Sequence, residues 1–123
     1  MLLALAIGLL LVDVLKLLLQ VPRPTPRISY EENIFFRADR YSFPSGHTLR
    51  ATVLAYHLGN RFRRIRIVFW LWASLVALSR IVLSQHWFSD VLASIIIAIW
   101  VSMLAEQVVE IIIVKRKNDL SAQ

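Results

Sequence analysis

Three short stretches of this chain set chemically capable side chains at spacings that let them work together. One is Ser79-Arg80, then five residues, His86, then three residues and Asp90. Positions i and i+4 are neighbours on a helix, so the Asp90 carboxylate can accept a hydrogen bond from one nitrogen of His86 and aim the other. An imidazole held in that way is a nucleophile, although a single His–Asp pair more often does no more than cap a helix. The second stretch is Pro44-Ser45-Gly46-His47. Pro at a helix start, Ser as N-cap and Gly permitting close backbone approach describe a helix N-terminus with outward N–H groups, a ready anion site. Alone, the tetrapeptide fits an ordinary cap better. His47, just inside it, adds a group able to exchange a proton near neutral pH. The third stretch is Lys16, six residues, then Arg23-Pro24.

Together these stretches carry a surplus of cations. Lys16, Arg23, Arg50 and Arg80 face only Asp90 nearby, with Asp13 about a turn deeper beside Lys16. Ionisable groups at membrane depth are costly unless paired, so each is a functional candidate. A positive surplus calls for an anion, and phosphate suits best: guanidinium forks match its oxygens and Lys supplies a point charge. Arg50, one turn after His47, either meets a second phosphate or headgroup or pairs with an acid such as Glu31 or Glu32. His57 has no comparable context and reads as a satisfied buried or inner-interface histidine.

The elements that must position these groups are helices in a membrane. Of 123 residues, 58% are apolar and 18% charged, unlike a water-soluble domain or a disordered chain. Zero cysteines exclude a disulfide scaffold and a thiolate metal site. The length suits one domain, and no linker or repeat is visible. Apolar runs predict helices at about 2–20, 66–84 and 87–114, each able to span a bilayer. The first starts without a basic region or cleavage site, so it reads as a retained helix rather than a signal peptide. A more polar fourth helix, about 45–60, must be buried among them. The expectation is an all-α integral membrane bundle of about four helices, with a polar active-site loop over 21–44 broken by prolines 22, 24, 26 and 44.

Charge supplies the topology. The turn Arg61-Phe62-Arg63-Arg64-Ile65-Arg66 and the tail Lys115-Arg116-Lys117 fall on one side with Met1. The positive-inside rule makes that side cytoplasmic, both termini included, and puts the polar cluster on the extracytoplasmic face. Half of the basic residues thereby become topology signals, so the +6 charge does not call for nucleic acid. Trp70 and Trp72 near the basic turn, and Trp87 and Phe88 at the other end, read as interfacial anchors.

The three stretches, in order and without a substitution, resemble the signature of the type 2 phosphatidic acid phosphatase family, within a haloperoxidase-like superfamily. The hydropathy favours its membrane-bound lipid phosphatase branch. The resemblance implies catalytic roles for His86, His47 and Asp90: His86 attacks phosphorus to form a phosphohistidine, Asp90 orients it, and His47 protonates the leaving oxygen and then activates water. It also implies that Lys16, Arg23, Arg80 and the Ser45–Gly46 backbone hold the phosphoryl oxygens, with no metal or other cofactor. Implied substrates are lipid phosphomonoesters such as phosphatidate, or polyprenyl diphosphates. Membrane members usually have six helices, with the lysine of the first motif near the end of the third; here that helix is the first. A minimal natural member, a fragment, and packing completed by homo-oligomerisation all fit that difference. On the same resemblance Pro22 to Phe43 form a lid, with Tyr30, Phe35, Phe36 and Tyr41 either entering the headgroup region or anchoring the interface. Two rivals stand beside this reading: a catalytically idle relative that binds lipid phosphate, and a small four-helix transporter, which the long polar loop and motif-bearing second helix oppose.

Overall fold

A computed structural model of the chain describes residues 1–25 and 40–121. Tyr30, Glu31, Glu32, Phe35 and Phe36 lie outside the described residues, and with them most of the expected lid. The described residues form four α-helices: α1 Leu2–Leu19, α2 Gly46–Arg61, α3 Arg66–Val82 and α4 Phe88–Ser121, with one 3-10 turn, Arg63–Ile65, leading into α3. The chain is thus an all-α bundle. The segments Leu2–Leu19, Arg63–Val82 and Phe88–Ser121 are long and apolar enough to cross a membrane.

The helix limits have local causes. α1 ends at Gln20, which takes a left-handed conformation (φ 48°) and donates its N–H to the Lys16 carbonyl, just ahead of Pro22 and Pro24. α3 ends two residues before position 84, because Ser84 is itself left-handed (φ 51°) and folds the chain straight back. α4 runs past the expected limit at 114 to Ser121. Residues 115–121 contain neither Gly nor Pro, so nothing in them stops a helix already under way.

α2 is the central helix: it packs against α1, α3 and α4, whereas α1 and α3 are not neighbours. Small residues make these packings close. Ala4, Val12, Leu49, Val53, Ala98, Val101 and Ala105 form one buried cluster, and Ala51, Ala55 and Ala73 a second between α2 and α3. Lipid tails are as apolar as leucine, so helices in a bilayer associate through such close backbone approach rather than through escape from water. Gly8 shows the requirement most sharply, because a Cβ there would lie 2.9 Å from Leu49 Cδ2. Trp70 packs into the α2–α3 cluster, so of the two tryptophans near the basic turn Trp72, 45% exposed, is the one with the surroundings of an interfacial anchor, while Trp87 and Phe88 at the other end are exposed as expected.

The buried stripe of α1 is Ala4, Gly8, Val12 and Lys16, one residue per turn. Lys16 therefore continues the packing face and arrives at the site end of the bundle only 4% exposed. Asp13 does not lie beside it in the interior; it is on the exposed face of α1.

Filling the contact at Gly8 tests this packing. Gly8→Leu forces a side chain into the space of fully buried Leu49, and overpacking of this kind costs about 1–3 kcal/mol. The expected outcome is a lower unfolding temperature in detergent; an unchanged one would mean that α1 and α2 are not packed as described.

Candidate active site

The site is built where three connections meet. The α3–α4 turn folds back on itself: the N–H groups of Gln85 and His86 both donate to the Arg80 carbonyl, at 3.0 and 3.2 Å. The segment after α1 is fastened to that turn, Thr25 N–H donating to the Ser84 carbonyl (3.2 Å) and Trp87 Nε1–H to the Pro22 carbonyl (3.0 Å). The segment before α2 is fastened to it in turn. Ser42 N–H donates to the Val21 carbonyl at 2.9 Å, and its hydroxyl donates to the carbonyls of Val21 and Pro22. Residues distant in the chain are thereby held together by backbone carbonyls rather than by side chains alone.

His86 sits at the centre, 3% exposed. Its Nδ1 is 2.7 Å from the Ser42 carbonyl oxygen and 3.5 Å from Asp90 Oδ2. A carbonyl can only accept, so at 2.7 Å the proton belongs on Nδ1 and the lone pair on Nε2. Asp90 is too far for a strong hydrogen bond, but its charge, 1% exposed, is close enough to stabilise a positive imidazole. The closest partner of Nδ1 is thus the Ser42 carbonyl, with the Asp90 carboxylate expected to orient the ring standing second. Since any residue type could present that carbonyl, no sequence signal marks it.

Asp90 has a second task. It is the third residue of α4, and its Oδ2 accepts the Trp87 N–H at 2.9 Å, the backward-reaching half of a capping box. The cap and the charge beside His86 are therefore the same carboxylate. Capping and site-building, alternatives on sequence grounds, coexist here.

α2 is docked onto this corner by its first residues. Ser45 N–H lies 2.7 Å from Ser94 Oγ and 3.4 Å from the Asp90 carbonyl, while Ser94 donates its hydroxyl proton to that same carbonyl at 2.6 Å. Ser45 Oγ is the N-cap, accepting from Thr48 N–H and from the Thr48 hydroxyl at 3.0 Å. Ser45 is fully buried, so both its polar groups are engaged inside the protein. The helix end that faces outward is therefore Gly46, half-buried, and His47, exposed. Among the described residues a Cβ at Gly46 would meet only Val12 Cγ1, at an ordinary 3.8 Å, so their packing does not require glycine at this position.

The cations converge on the same corner. Arg23 Nη1 donates to the Gln85 carbonyl at 3.0 Å, and Arg80 donates from Nη1 to Gln85 Oε1 at 3.3 Å and from Nε to Ser79 Oγ at 3.2 Å. Gln85, immediately before His86, thus holds both guanidinium groups from one residue. Lys16 lies one helical turn beyond Val12, which packs at Gly46, and so stands at the same end of the bundle. Arg50 is exposed on α2, one turn from His47.

Ser42, Gln85 and Ser94 are the parts that sequence reasoning missed. Ser94 carried a usable signal, a buried hydroxyl in the apolar run of α4. His57 lies towards the opposite end of the bundle, with Nδ1 3.5 Å from Glu106 Oε1, and Tyr56 OH donates to Glu106 Oε2 at 3.1 Å. Its buried Nε2 has no hydrogen-bond partner among the described residues, so its expected satisfaction is met at one nitrogen only.

The Ser94 hydroxyl can be tested apart from any activity. Ser94→Ala leaves the buried Ser45 N–H with only the longer contact to the Asp90 carbonyl, and a buried donor left without a good partner costs about 1–3 kcal/mol. A drop in unfolding temperature that Ser94→Thr partly restores is the expected result. If alanine matches the wild type, this junction does not hold α2 to α4.

The described residues thus bring to one end of the bundle an imidazole with its lone pair on Nε2, two guanidinium groups held by Gln85, and the N-terminus of α2 with His47. No solved structure matches the chain. A family model does: the PAP2 superfamily matches residues 1–112, and the chain belongs to that superfamily.

Proposed function

We propose that the protein is a membrane lipid phosphatase that works through a phosphohistidine. Membership of the PAP2 superfamily supports phosphatase chemistry in general. The observation that carries the finer reading is the 2.7 Å approach of His86 Nδ1 to the Ser42 carbonyl, which leaves the lone pair on Nε2. In this reading Nε2 attacks phosphorus, a P–N bond forms and the bond from phosphorus to the leaving oxygen breaks. His47 gives that oxygen a proton, then takes one from the water that cleaves the P–N bond and releases inorganic phosphate. Asp90 opposes the positive charge on the phosphorylated imidazole.

Lys16, Arg23 and Arg80 hold the phosphoryl oxygens as charge shifts towards the leaving group, together with the backbone N–H groups that begin α2 at Gly46. These cations do the work of a metal ion, and the reaction needs none. The substrate is a lipid phosphomonoester or a polyprenyl diphosphate drawn from the bilayer. Arg61, Arg63, Arg64 and Arg66, with Lys115, Arg116 and Lys117, lie at the opposite end of the helices from His86, so the site opens on the extracytoplasmic face.

Purified protein in detergent, with EDTA present, should release phosphate from phosphatidate or farnesyl diphosphate, and orthovanadate should inhibit it. His86→Ala should lower the rate by about a thousandfold or more. His47→Ala should retain attack on a diphosphate but accumulate an acid-labile phosphohistidine. Full activity in His86→Ala would end the proposal, as would loss of wild-type activity in EDTA that magnesium restores.

Gly46→Ala separates fold from chemistry. Among the described residues its added methyl meets only Val12, so the unfolding temperature should stay close to wild type. Crowding of the phosphate at the helix end should lower the rate by about tenfold to a hundredfold. An equally fast alanine variant would place the phosphoryl group elsewhere.

A further inference from the structure

Arg50 is absorbed by neither the packing nor the chemistry described so far. It is exposed, and among the described residues it makes no side-chain hydrogen bond or ion pair. Its depth follows from its neighbours. Gly46 packs at Val12 of α1, and Leu49 packs at Gly8, one turn further from the site end. Arg50 adjoins Leu49, so its backbone lies near the middle of the 18-residue span of α1, about two turns below Lys16. A guanidinium at that depth is costly without an anion.

Direction and access say where the anion comes from. In an α-helix the Cα–Cβ bonds tilt towards the N-terminus. On α2 that end is the site, so the stem of Arg50 leans up towards His47, which is exposed on the same face one turn away. On α1 the same tilt leans Lys16 downward. His47 therefore stands between the two cations in depth, with Lys16 nearer the site end and Arg50 one turn deeper. The exposed face of α2 lies on its open side, since α1 and α3 are not neighbours.

We propose that Arg50 is a specificity-determining residue that binds the second, lipid-side phosphate of a diphosphate substrate. This rests on the reading of His86 as nucleophile and His47 as acid. With the terminal phosphorus bonded to His86 Nε2, the bridging P–O bond breaks and its electron pair stays on the departing lipid monophosphate. That group gains negative charge on the membrane side of His47, where Arg50 offsets it while His47 supplies the proton. A lipid monoester departs as an alcohol and gives Arg50 no second phosphate to hold.

The experiment compares farnesyl diphosphate with farnesyl monophosphate, which share one tail, on wild type, Arg50→Ala and Arg50→Lys in a neutral detergent. The expected result is that the ratio of kcat/KM for diphosphate over monophosphate falls by about tenfold or more in Arg50→Ala, with partial recovery in Arg50→Lys. An equal loss on both substrates would overturn the assignment, because Arg50 would then hold the reacting phosphoryl group. An unchanged ratio with unchanged rates would overturn it as well. So would an effect seen only in vesicles containing phosphatidylglycerol, which would make Arg50 a contact for a bilayer headgroup. If wild type cleaves neither substrate, the phosphatase reading itself falls, and this assignment falls with it.

Discussion

The rest of the structure depends on the buried junction between the first turns of α2 and α4. There the Ser45 N–H meets the Ser94 hydroxyl, Ser94 donates to the Asp90 carbonyl, Asp90 caps its own helix, and His86 leans on the Ser42 carbonyl two residues before Pro44. Ser42, Ser45, Ser94 and Asp90 are each at most 1% exposed. In a low-dielectric interior each of these hydrogen bonds is stronger than in water, and each unmade one costs more. The junction therefore tolerates few alternative arrangements. Two helix N-termini, whose orphan N–H groups need partners in any case, are joined so that satisfying them also aims a histidine.

Around that junction the bundle supplies little hydrophobic driving force. α1 and α3 leave most of their surface open, and their buried apolar residues are Ala4, Gly8, Val12, Ala73 and Ala77. Polar anchoring at one end thus complements close apolar packing along the helix axes. The two differ in what they specify: apolar packing with small residues allows sliding by a turn, whereas the Ser45–Ser94–Asp90 bonds allow only one register. The register is what brings Gly46 to the level of Val12, one turn short of Lys16, because α1 meets α2 through the Gly46–Val12 and Leu49–Gly8 contacts.

Much of this was legible in the sequence, for physical reasons that also mark the limit. Long apolar runs can do little in a chain of this composition except cross a bilayer, so the four helices follow from hydropathy and prolines. Lys16, Arg23, Ser45, His47, Arg80, His86 and Asp90 stand out because ionisable and capping groups in such surroundings need a reason. What sequence could not show is carried by backbone or by rotation. The Ser42 carbonyl that orients His86 belongs to a group every residue has. Asp13 and Lys16 are three residues apart, yet one faces out and the other is buried, and an α1 apolar all round contains no pattern from which to read that rotation. Gln85 looked like a turn residue, and it is one; its hold on Arg23 and Arg80 exists only once the turn is formed.

The double use of Asp90 is the clearest trade in the molecule. A carboxylate at the first turn of a helix interacts favourably with the helix dipole and with the Trp87 N–H, which lowers the cost of keeping its charge buried. The same oxygen, Oδ2, accepts the Trp87 N–H and lies 3.5 Å from His86 Nδ1. A closer approach would strengthen the hydrogen bond to Nδ1 but weaken the cap and draw the ring from the Ser42 carbonyl. At 3.5 Å any hydrogen bond to the carboxylate is weak, and the field of a buried charge reaches further than a hydrogen bond does. The carbonyl sets the tautomer and the carboxylate places a negative charge beside the ring, so an imidazole with its lone pair on Nε2 can be held without either group having to do both tasks.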